Sequence, residues 1–229
     1  MNWYGTQEHT DQLRDYDRRL FSKCTFGEPT GGYTLDDGYE VISYNLVDDA
    51  PCEPFHVPDS AMLCRLYKNG VFIFEWRHIG GHSRPARLIH HSNGKSYLVF
   101  YEYYLYGYSV LDLSDMKCAH YIPQESADCY DEHFKETFIW VVPHYDPESD
   151  LLAVEGCIWA APYSIIILDF SDPLKIAEAD KWLDLGGKIG EDTYGEIYDE
   201  FKSWEPDALV CANGTISKQE ILEKLNAIA

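Results

Sequence analysis

The chain has 229 residues, of which 45% are hydrophobic and 25% are charged, and this composition fits one soluble globular domain of good size, or one and a half small ones. Its formal net charge of −21 would repel nucleic acids and anionic membrane surfaces, so we expect neither as a partner. No stretch approaches the ~20 apolar residues of a membrane-spanning helix, and the first 20 residues lack the apolar core of a signal peptide.

The strand-like segments predict an all-β fold. Residues 1–30 lack clear periodicity and are predicted to form a loosely packed N-terminal arm, with residues 31–229 forming one β-rich domain. Runs rich in Val, Ile, Tyr, Phe and Trp predict strands near 39–46, 61–67, 71–77, 86–91, 96–103, 107–113, 117–122, 137–142, 151–158, 163–169 and 208–212.

Four dipeptides between these runs predict type I′ turns, which need positive φ at both central residues. They are Asp37-Gly38, Asn69-Gly70, Asn93-Gly94 and Asn213-Gly214. We therefore expect consecutive antiparallel meanders.

Two segments of the chain resemble each other. Residues 98–115 and 151–172 both contain four apolar or aromatic residues, then a Glu, then Tyr-Ser and Asp-apolar-Ser-Asp. This similarity predicts one structural unit used at least twice. The expected units are four-stranded and resemble β-propeller blades, near 86–122 and 137–185.

Helix is predicted at two places near the C-terminus. Ser217 and Glu220 fit a capping box, and the apolar residues that follow recur with helical spacing, so a short C-terminal helix is expected. A weaker helical pattern covers 195–203.

Residues 138–173 (FIWVVPHYDPESDLLAVEGCIWAAPYSIIILDFSDP) and 90–115 (HHSNGKSYLVFYEYYLYGYSVLDLSD) resemble an uncharacterised family of bacterial proteins with degenerate β-propeller-like repeats. The resemblance covers about a third of the chain. It implies the fold, but it brings no activity, cofactor or catalytic residue.

A first candidate site is a set of three glutamates. Glu75, Glu102 and Glu155 each follow a run of four apolar or aromatic residues. If the sheets stack about an axis, these carboxylates would gather at one rim, and a glycosidase requires two carboxylates ~5–10 Å apart. In the structural alternative, each Glu ends a strand and meets water or an arginine such as Arg77 or Arg87.

A second candidate site is aromatic. Residues 97–108 contain seven Tyr or Phe, and a two-faced sheet cannot bury them all. Exposed Tyr is a common contact residue for proteins and sugars, which makes Tyr104 and Tyr106 candidates for ligand binding. Trp159 and Tyr163 occupy the comparable stretch of the second segment. The alternative is that these residues are ordinary strand residues.

A metal site is a weaker alternative. Cys118, His120, Cys129 and His133 are residue types that bind zinc, but the spacing of the first pair does not fit a zinc knuckle. The alternative is a buried Cys, a surface His and an unrelated loop pair. The sequence also lacks the G-x-S-x-G, H-E-x-x-H, Walker and Rossmann patterns. We therefore predict no metal, no cofactor and no catalytic residue.

Seven cysteines without tight spacing predict reduced thiols and a cytoplasmic location, with disulfide pairing as the alternative. Cys64, Cys157 and Cys211 lie in apolar runs and are predicted to be buried, unpaired and structural. Cys129, in a polar loop, is predicted to be more accessible.

The acidic residues lie mainly in the second half of the chain. Residues 1–122 contain 16 Asp and Glu against 11 Lys and Arg, and residues 123–229 contain 23 against 7. A strong negative field speeds encounter with a basic protein, although solubility alone would also explain it. We predict a non-catalytic acidic interaction module that neutralises a basic partner. The alternative is a carbohydrate-binding or carbohydrate-hydrolysing protein that uses the rim carboxylates and exposed aromatics.

Overall fold

The computed structural model describes residues 25–48, 61–79, 86–101, 108–121, 138–157, 163–175, 183–185 and 200–228. These residues form antiparallel meanders in four sheets with one short C-terminal helix, so the predicted fold class is confirmed. No closed barrel or propeller is defined by the described strands. No helix in this part of the chain has the length and apolar character to cross a membrane.

Each sheet follows chain order, so every strand pairs with its sequence neighbour. The first sheet contains β1 (Thr25–Thr34), β2 (Tyr39–Asp48), β3 (Ala61–Lys68) and β4 (Val71–Ile79). The second sheet contains β5 (Ala86–His90), β6 (Ser96–Phe100), β7 (Tyr108–Asp112) and β8 (Cys118–Tyr121).

The third sheet contains β9 (Ile139–Asp146), β10 (Leu151–Cys157), β11 (Ser164–Asp169) and β12 (Leu183–Asp184). The fourth sheet contains β13 (Phe201–Trp204), β14 (Ala208–Cys211) and β15 (Gly214–Ser217), and it is followed by helix α1 (Lys218–Ile228).

The two middle sheets are covered on both faces. In β6, Leu98 and Phe100 pack with the first sheet, whereas Tyr97 and Val99 pack with the third. The third sheet likewise packs on the second through one face and on the fourth sheet and α1 through the other. Burial on both faces explains why β6 and β10 contain uninterrupted apolar runs instead of an alternating pattern.

Two of the four predicted type I′ turns are confirmed. Asp37-Gly38 and Asn69-Gly70 have positive φ at both residues. The prediction for Asn93-Gly94 is wrong because only Gly94 has positive φ, and the Asn93 side chain instead accepts a hydrogen bond from the Lys95 N–H. It is also wrong for Asn213-Gly214, neither of which has positive φ.

The Asp-apolar-Ser-Asp motif marks the end of the third strand in each middle sheet. Asp112 ends β7 and accepts hydrogen bonds from the Ser114 N–H and hydroxyl. Asp169 ends β11 and accepts one from the Ser171 N–H. These are Asx turns, in which a short carboxylate satisfies the backbone where the chain leaves the sheet.

The C-terminal helix is confirmed, with Ser217 accepting a hydrogen bond from the Glu220 N–H at 3.2 Å. The helix predicted at 195–203 is wrong for its described end, because Phe201 begins strand β13. Phe201 and Trp204 pack into the core between the third and fourth sheets, and this tertiary contact outweighs local propensity.

Strand β1 begins at Thr25, within the predicted N-terminal arm, and pairs with β2. Residues 1–24 lie outside the described residues.

Cys64 and Cys211 are buried as predicted, whereas Cys157 is only partly buried. Burial raises the pKa of the Cys64 thiol to about 12, against a weaker opposing hydrogen bond with Ser43. Cys64 and Cys157 are free thiols, and Cys129 lies outside the described residues.

Candidate functional site

The third sheet, the fourth sheet and α1 carry an acidic surface. Their described residues include nine exposed carboxylates and only three exposed lysines, Lys175, Lys202 and Lys224. Lys202 pairs with Glu200, and Lys224 with Glu220, so two of these three cations are already paired within the chain. The acidic surface is defined by Glu148, Asp169, Asp172, Asp184, Glu200, Glu205, Asp207, Glu220 and Glu223.

The first two sheets have a more balanced surface. Their described side chains include five exposed carboxylates and three exposed lysines, together with partly buried Arg65, Arg77 and Arg87. The exposed carboxylates are Glu28, Asp36, Asp37, Glu40 and Asp115. The charge asymmetry of the sequence therefore appears as a spatial asymmetry among the described side chains.

A buried ion pair lies beneath the acidic surface. Lys218, the first residue of α1, places its Nζ 2.6 Å from Asp146 Oδ2 and 3.5 Å from Glu148 Oε2. Burial alone would raise the pKa of Asp146. The hydrogen bonds that it accepts from Lys218, the Ser149 hydroxyl and the Glu148 N–H outweigh burial, so the pKa of Asp146 is lowered. The pair joins the end of β9 to the start of α1, so it has a structural role.

Glu155 lies at the contact between the third and fourth sheets. Its Oε2 lies 2.8 Å from His144 Nε2, and its Oε1 accepts a hydrogen bond from the Phe201 N–H at 2.9 Å. The His144 ring stacks on Phe201 at 3.8 Å, and the Trp204 indole N–H donates to the His144 carbonyl. Burial lowers the pKa of His144, against the opposing effect of Glu155, so the imidazole is neutral at pH 7.

Glu75 lies within β4 and binds two arginines. Arg65 Nε is 3.1 Å from one of its carboxylate oxygens, and Arg77 Nη2 is 3.3 Å from the other. Glu75 thus meets Arg77, as the structural alternative predicted, although it lies within its strand rather than at the end. Glu75 and Glu155 belong to the first and third sheets, with the second sheet between them, and they share no partner among the described contacts.

The strand register changes the expected correspondence between Glu102 and Glu155. Tyr97 pairs with Asp112, and Leu151 pairs with Asp169. Counted from these pairs, Glu155 corresponds to Tyr101 rather than to Glu102, which lies outside the described residues. The sequence alignment was one residue out of register, and a shift of one residue exchanges the two faces of a strand.

The predicted aromatic site is described only at Tyr163, whose side chain is 51% exposed just before β11. Glu102, Tyr104, Tyr106 and Trp159 lie outside the described residues. The aromatic site therefore stays a prediction.

The residues proposed for zinc have other contacts where they are described. His120 is buried on β8, and its Nδ1 lies 2.8 Å from the Ser109 hydroxyl across the strand pair. Cys129 and His133 lie outside the described residues. Among the residues that are described, no group of three or more His, Cys, Asp or Glu could hold a metal ion.

One polar network that the sequence did not predict joins the turns of the second and third sheets. His91 Nδ1 accepts the Asn93 N–H, so its Nε2 carries the proton and donates to the Phe170 carbonyl at 2.9 Å. Nearby, Asp150 accepts hydrogen bonds from the Tyr145 and Ser92 hydroxyls. These contacts hold His91 as a structural core histidine.

One segment of the chain is similar to a viral protein. No family model matches the chain. A segment of 51 residues is 43% identical to the uncharacterised protein R762 of Acanthamoeba polyphaga mimivirus, covering 22% of this chain and 20% of that protein. The match thus spans about a fifth of the relative's length. The expected membership of a bacterial family is wrong, because this relative is viral and no family model supports that assignment.

Proposed function

We propose that the chain is a non-catalytic interaction module whose acidic surface binds and neutralises a basic protein. The observation that carries the proposal is the excess of exposed carboxylates over lysines on the third sheet, the fourth sheet and α1. A surface of one sign attracts a partner of opposite sign and increases its association rate.

The contacts of the candidate carboxylates and of His91 support a role other than catalysis. The carboxylates of Glu75 and Glu155 are engaged by neighbouring side chains or backbone, and His91 is fixed by hydrogen bonds at both ring nitrogens. A general acid or base needs a free position within reach of a substrate. The carbohydrate alternative is therefore the weaker proposal, and the exposed Tyr163 is its main support.

We also propose a reducing, cytoplasmic location. The support is that Cys64 and Cys157 are free thiols, as expected where disulfides do not form.

The binding proposal is tested by two variants that remove the same number of charges at different places. The first neutralises part of the acidic surface, and the second neutralises acids of the first sheet. The substitutions are Glu205→Gln, Asp207→Asn and Glu223→Gln in the first, and Glu28→Gln, Asp36→Asn and Glu40→Gln in the second.

Each purified variant is immobilised and exposed to native lysate and to purified basic proteins at ~50 and ~300 mM salt, a range over which the Debye length falls about 2.5-fold. The first variant should lose salt-sensitive capture, and the second should behave like the unmodified chain. Equal loss in both variants would show a response to net charge alone. Capture that does not depend on salt would contradict the electrostatic basis of the proposal.

A further inference from the structure

The chain contains three Asn-Gly dipeptides, Asn69-Gly70, Asn93-Gly94 and Asn213-Gly214. In such a pair the backbone nitrogen of the glycine can attack the side-chain Cγ of the asparagine, because a glycine has no Cβ to block the approach. Asparagine is accordingly one of the thermolabile residues of proteins. All three pairs lie at turns between paired strands, so their local contacts decide which one reacts.

The reaction needs only water besides the chain itself. The glycine nitrogen gives its proton to the solvent and forms a bond to Cγ, the bond from Cγ to Nδ2 breaks, and the side-chain amide leaves as ammonia. Water then opens the cyclic imide and leaves either aspartate or isoaspartate, in which the main chain runs through Cγ. Because Cγ must first rotate toward the next nitrogen, contacts that hold the amide elsewhere slow the reaction.

The Asn93 amide is held by hydrogen bonds at both of its polar atoms. Its Oδ1 accepts the Lys95 N–H at 2.9 Å, and its Nδ2 donates to the Tyr97 hydroxyl at 3.0 Å. Tyr97 is buried in the core, so this acceptor is fixed in place. The attacking group is also engaged, because the Gly94 N–H donates to the His91 carbonyl at 2.9 Å. Ring closure at this pair must therefore break several contacts at once.

The Asn69 amide is held by packing against a neighbouring turn. Asn69 has a φ of 50° in the two-residue turn between β3 and β4, and its backbone N–H donates to the Gly38 carbonyl at 2.9 Å. A Cβ built at Gly38 would lie 2.4 Å from Asn69 Oδ1, so the side-chain amide lies directly against the connection between β1 and β2. Rotation of Cγ toward Gly70 must disrupt this packing.

Asn213 has neither restraint. It is exposed, and among the described contacts none engages its side-chain amide. The turn is anchored at its flanks, where the Ala212 N–H donates to the Glu200 carbonyl at 2.9 Å and Cys211 pairs with Gly214. Ring closure therefore needs only a local opening of this exposed turn, which requires far less free energy than global unfolding. We infer that Asn213-Gly214 is the pair at which the folded chain loses its side-chain amide.

The modification changes the fourth sheet in two ways. Either product adds a carboxylate to a sheet whose exposed side chains already include Glu200, Glu205 and Asp207. Isoaspartate also lengthens the main chain of the turn between β14 and β15, next to buried Cys211. The inference does not depend on the proposed function, because the reaction is measured on the purified chain without any partner.

The experiment is incubation of the full chain in buffer and in denaturing urea at the same mildly alkaline pH, followed by peptide mapping with mass spectrometry. Amide loss and isoaspartate are measured at each of the three pairs. In buffer, Asn213 should react about tenfold faster than Asn93, as expected when hydrogen bonds of ordinary strength restrain the slower site. Asn213 should also react faster than Asn69. In urea, where these contacts are lost, the three rates should converge.

Two results would overturn the inference. One is a folded-state rate at Asn213 that does not exceed the rates at Asn69 and Asn93. The other is an equal advantage of Asn213 in urea, because the difference would then come from neighbouring residue types and not from the structure.

Two variants test the cause of the selectivity. Tyr97→Phe removes the acceptor of the Asn93 amide, so it should raise the folded-state rate at Asn93 about two- to tenfold and leave the rate at Asn213 unchanged. Gly214→Ala should slow the reaction at Asn213 alone, and the backbone accepts it because Gly214 does not have positive φ. Circular dichroism shows whether each variant is folded. An unchanged rate at Asn93 in folded Tyr97→Phe would contradict the protective role of the hydrogen bond. If Tyr97→Phe does not fold, Gly214→Ala and the comparison with urea still decide the assignment.

Discussion

Replacement of Lys218 by Met should be among the most destabilising single substitutions in the fourth-sheet region. The Lys218 and Asp146 side chains are only 9% and 4% exposed, and their charged atoms lie 2.6 Å apart. The substitution removes the cation and leaves a buried carboxylate without its partner. We expect the free energy of unfolding to fall by about 3–5 kcal/mol.

The size of this effect follows from opposing terms. At 2.6 Å and an effective dielectric constant of about 20, the Coulomb attraction is about 6 kcal/mol. Taking the two ions out of water costs several kcal/mol for each, so the intact pair contributes little net stability. Removing one ion keeps the desolvation cost of the other and loses the attraction. The double variant Lys218→Met, Asp146→Asn should therefore recover most of the loss.

Urea unfolding at pH 7 measures these differences, and Lys224→Met provides the control. Lys224 pairs with Glu220 one turn away on the surface of the same helix, with both side chains about half exposed. Such a pair contributes about 0.3–0.5 kcal/mol. The reasoning would be refuted if Lys218→Met cost no more than Lys224→Met, or if the double variant were less stable than the single one.

The same pair predicts a pH dependence. The folded-state pKa of Asp146 is lowered, so the stability it contributes is present above the ordinary carboxyl pKa of about 4 and is lost as the pH falls through the folded value. In Lys218→Met, the hydrogen bond from Lys218 is gone and the folded pKa of Asp146 rises. Acid unfolding of the variant should begin at a higher pH, as monitored by tryptophan fluorescence.

Three further predictions test other parts of the fold. Because burial lowers the pKa of His144, the free energy of unfolding should fall as the pH drops below about 6.5. In urea titrations, His144→Gln should make the free energy of unfolding less dependent on pH in this range. An unchanged pH dependence would contradict the assigned burial effect. Gly38→Ala should lower the thermal unfolding midpoint more than Gly70→Ala. Both glycines have positive φ, but a Cβ at 38 would lie 2.4 Å from Asn69 Oδ1, whereas a Cβ at 70 would meet open space. Equal losses of stability would mean that backbone strain alone matters. A thiol reagent should modify Cys157 faster than buried Cys64 in the native state, and the reverse order would show that the first sheet opens more readily than the third.

The fold was predictable from the sequence because local signals and tertiary structure agree over most of the described residues. The apolar runs of β6 and β10 are buried on both faces, and Ser217 caps α1 as its position predicts. Asn69-Gly70 adopts the predicted backbone in a two-residue turn that joins β3 to β4 directly. Asp37-Gly38 has the same positive φ within a four-residue connection between β1 and β2. At Asn93-Gly94 the same dipeptide lies in a longer turn, where the Asn93 side chain bonds to Lys95.

The site was less predictable because its contacts join residues that are distant in sequence. Nothing near Lys218 in the sequence indicates that it pairs with Asp146, since the contact depends on how α1 packs on the third sheet. The glutamate correspondence failed for a related reason. The pairs Tyr97–Asp112 and Leu151–Asp169 make Leu151 equivalent to Tyr97, whereas the alignment of residue types had matched it with Leu98. Strand register sets such correspondences, and an alignment of residue types does not contain it.

The exposed carboxylates described on the acidic surface include two physical classes, and this division sharpens the binding proposal. Asp169 and Asp172 are exposed, but each accepts a backbone N–H two residues ahead, which is ordinary turn chemistry. An amide oxygen can accept the same bond, so Asp169→Asn and Asp172→Asn should preserve the fold. Asp207 and Glu223 bind no backbone N–H among the described contacts, so the turns do not account for their charge. If the acidic surface binds a basic protein through local contacts, neutralising the second class should reduce capture more than neutralising the first. Equal reductions would mean that the partner responds only to the total charge.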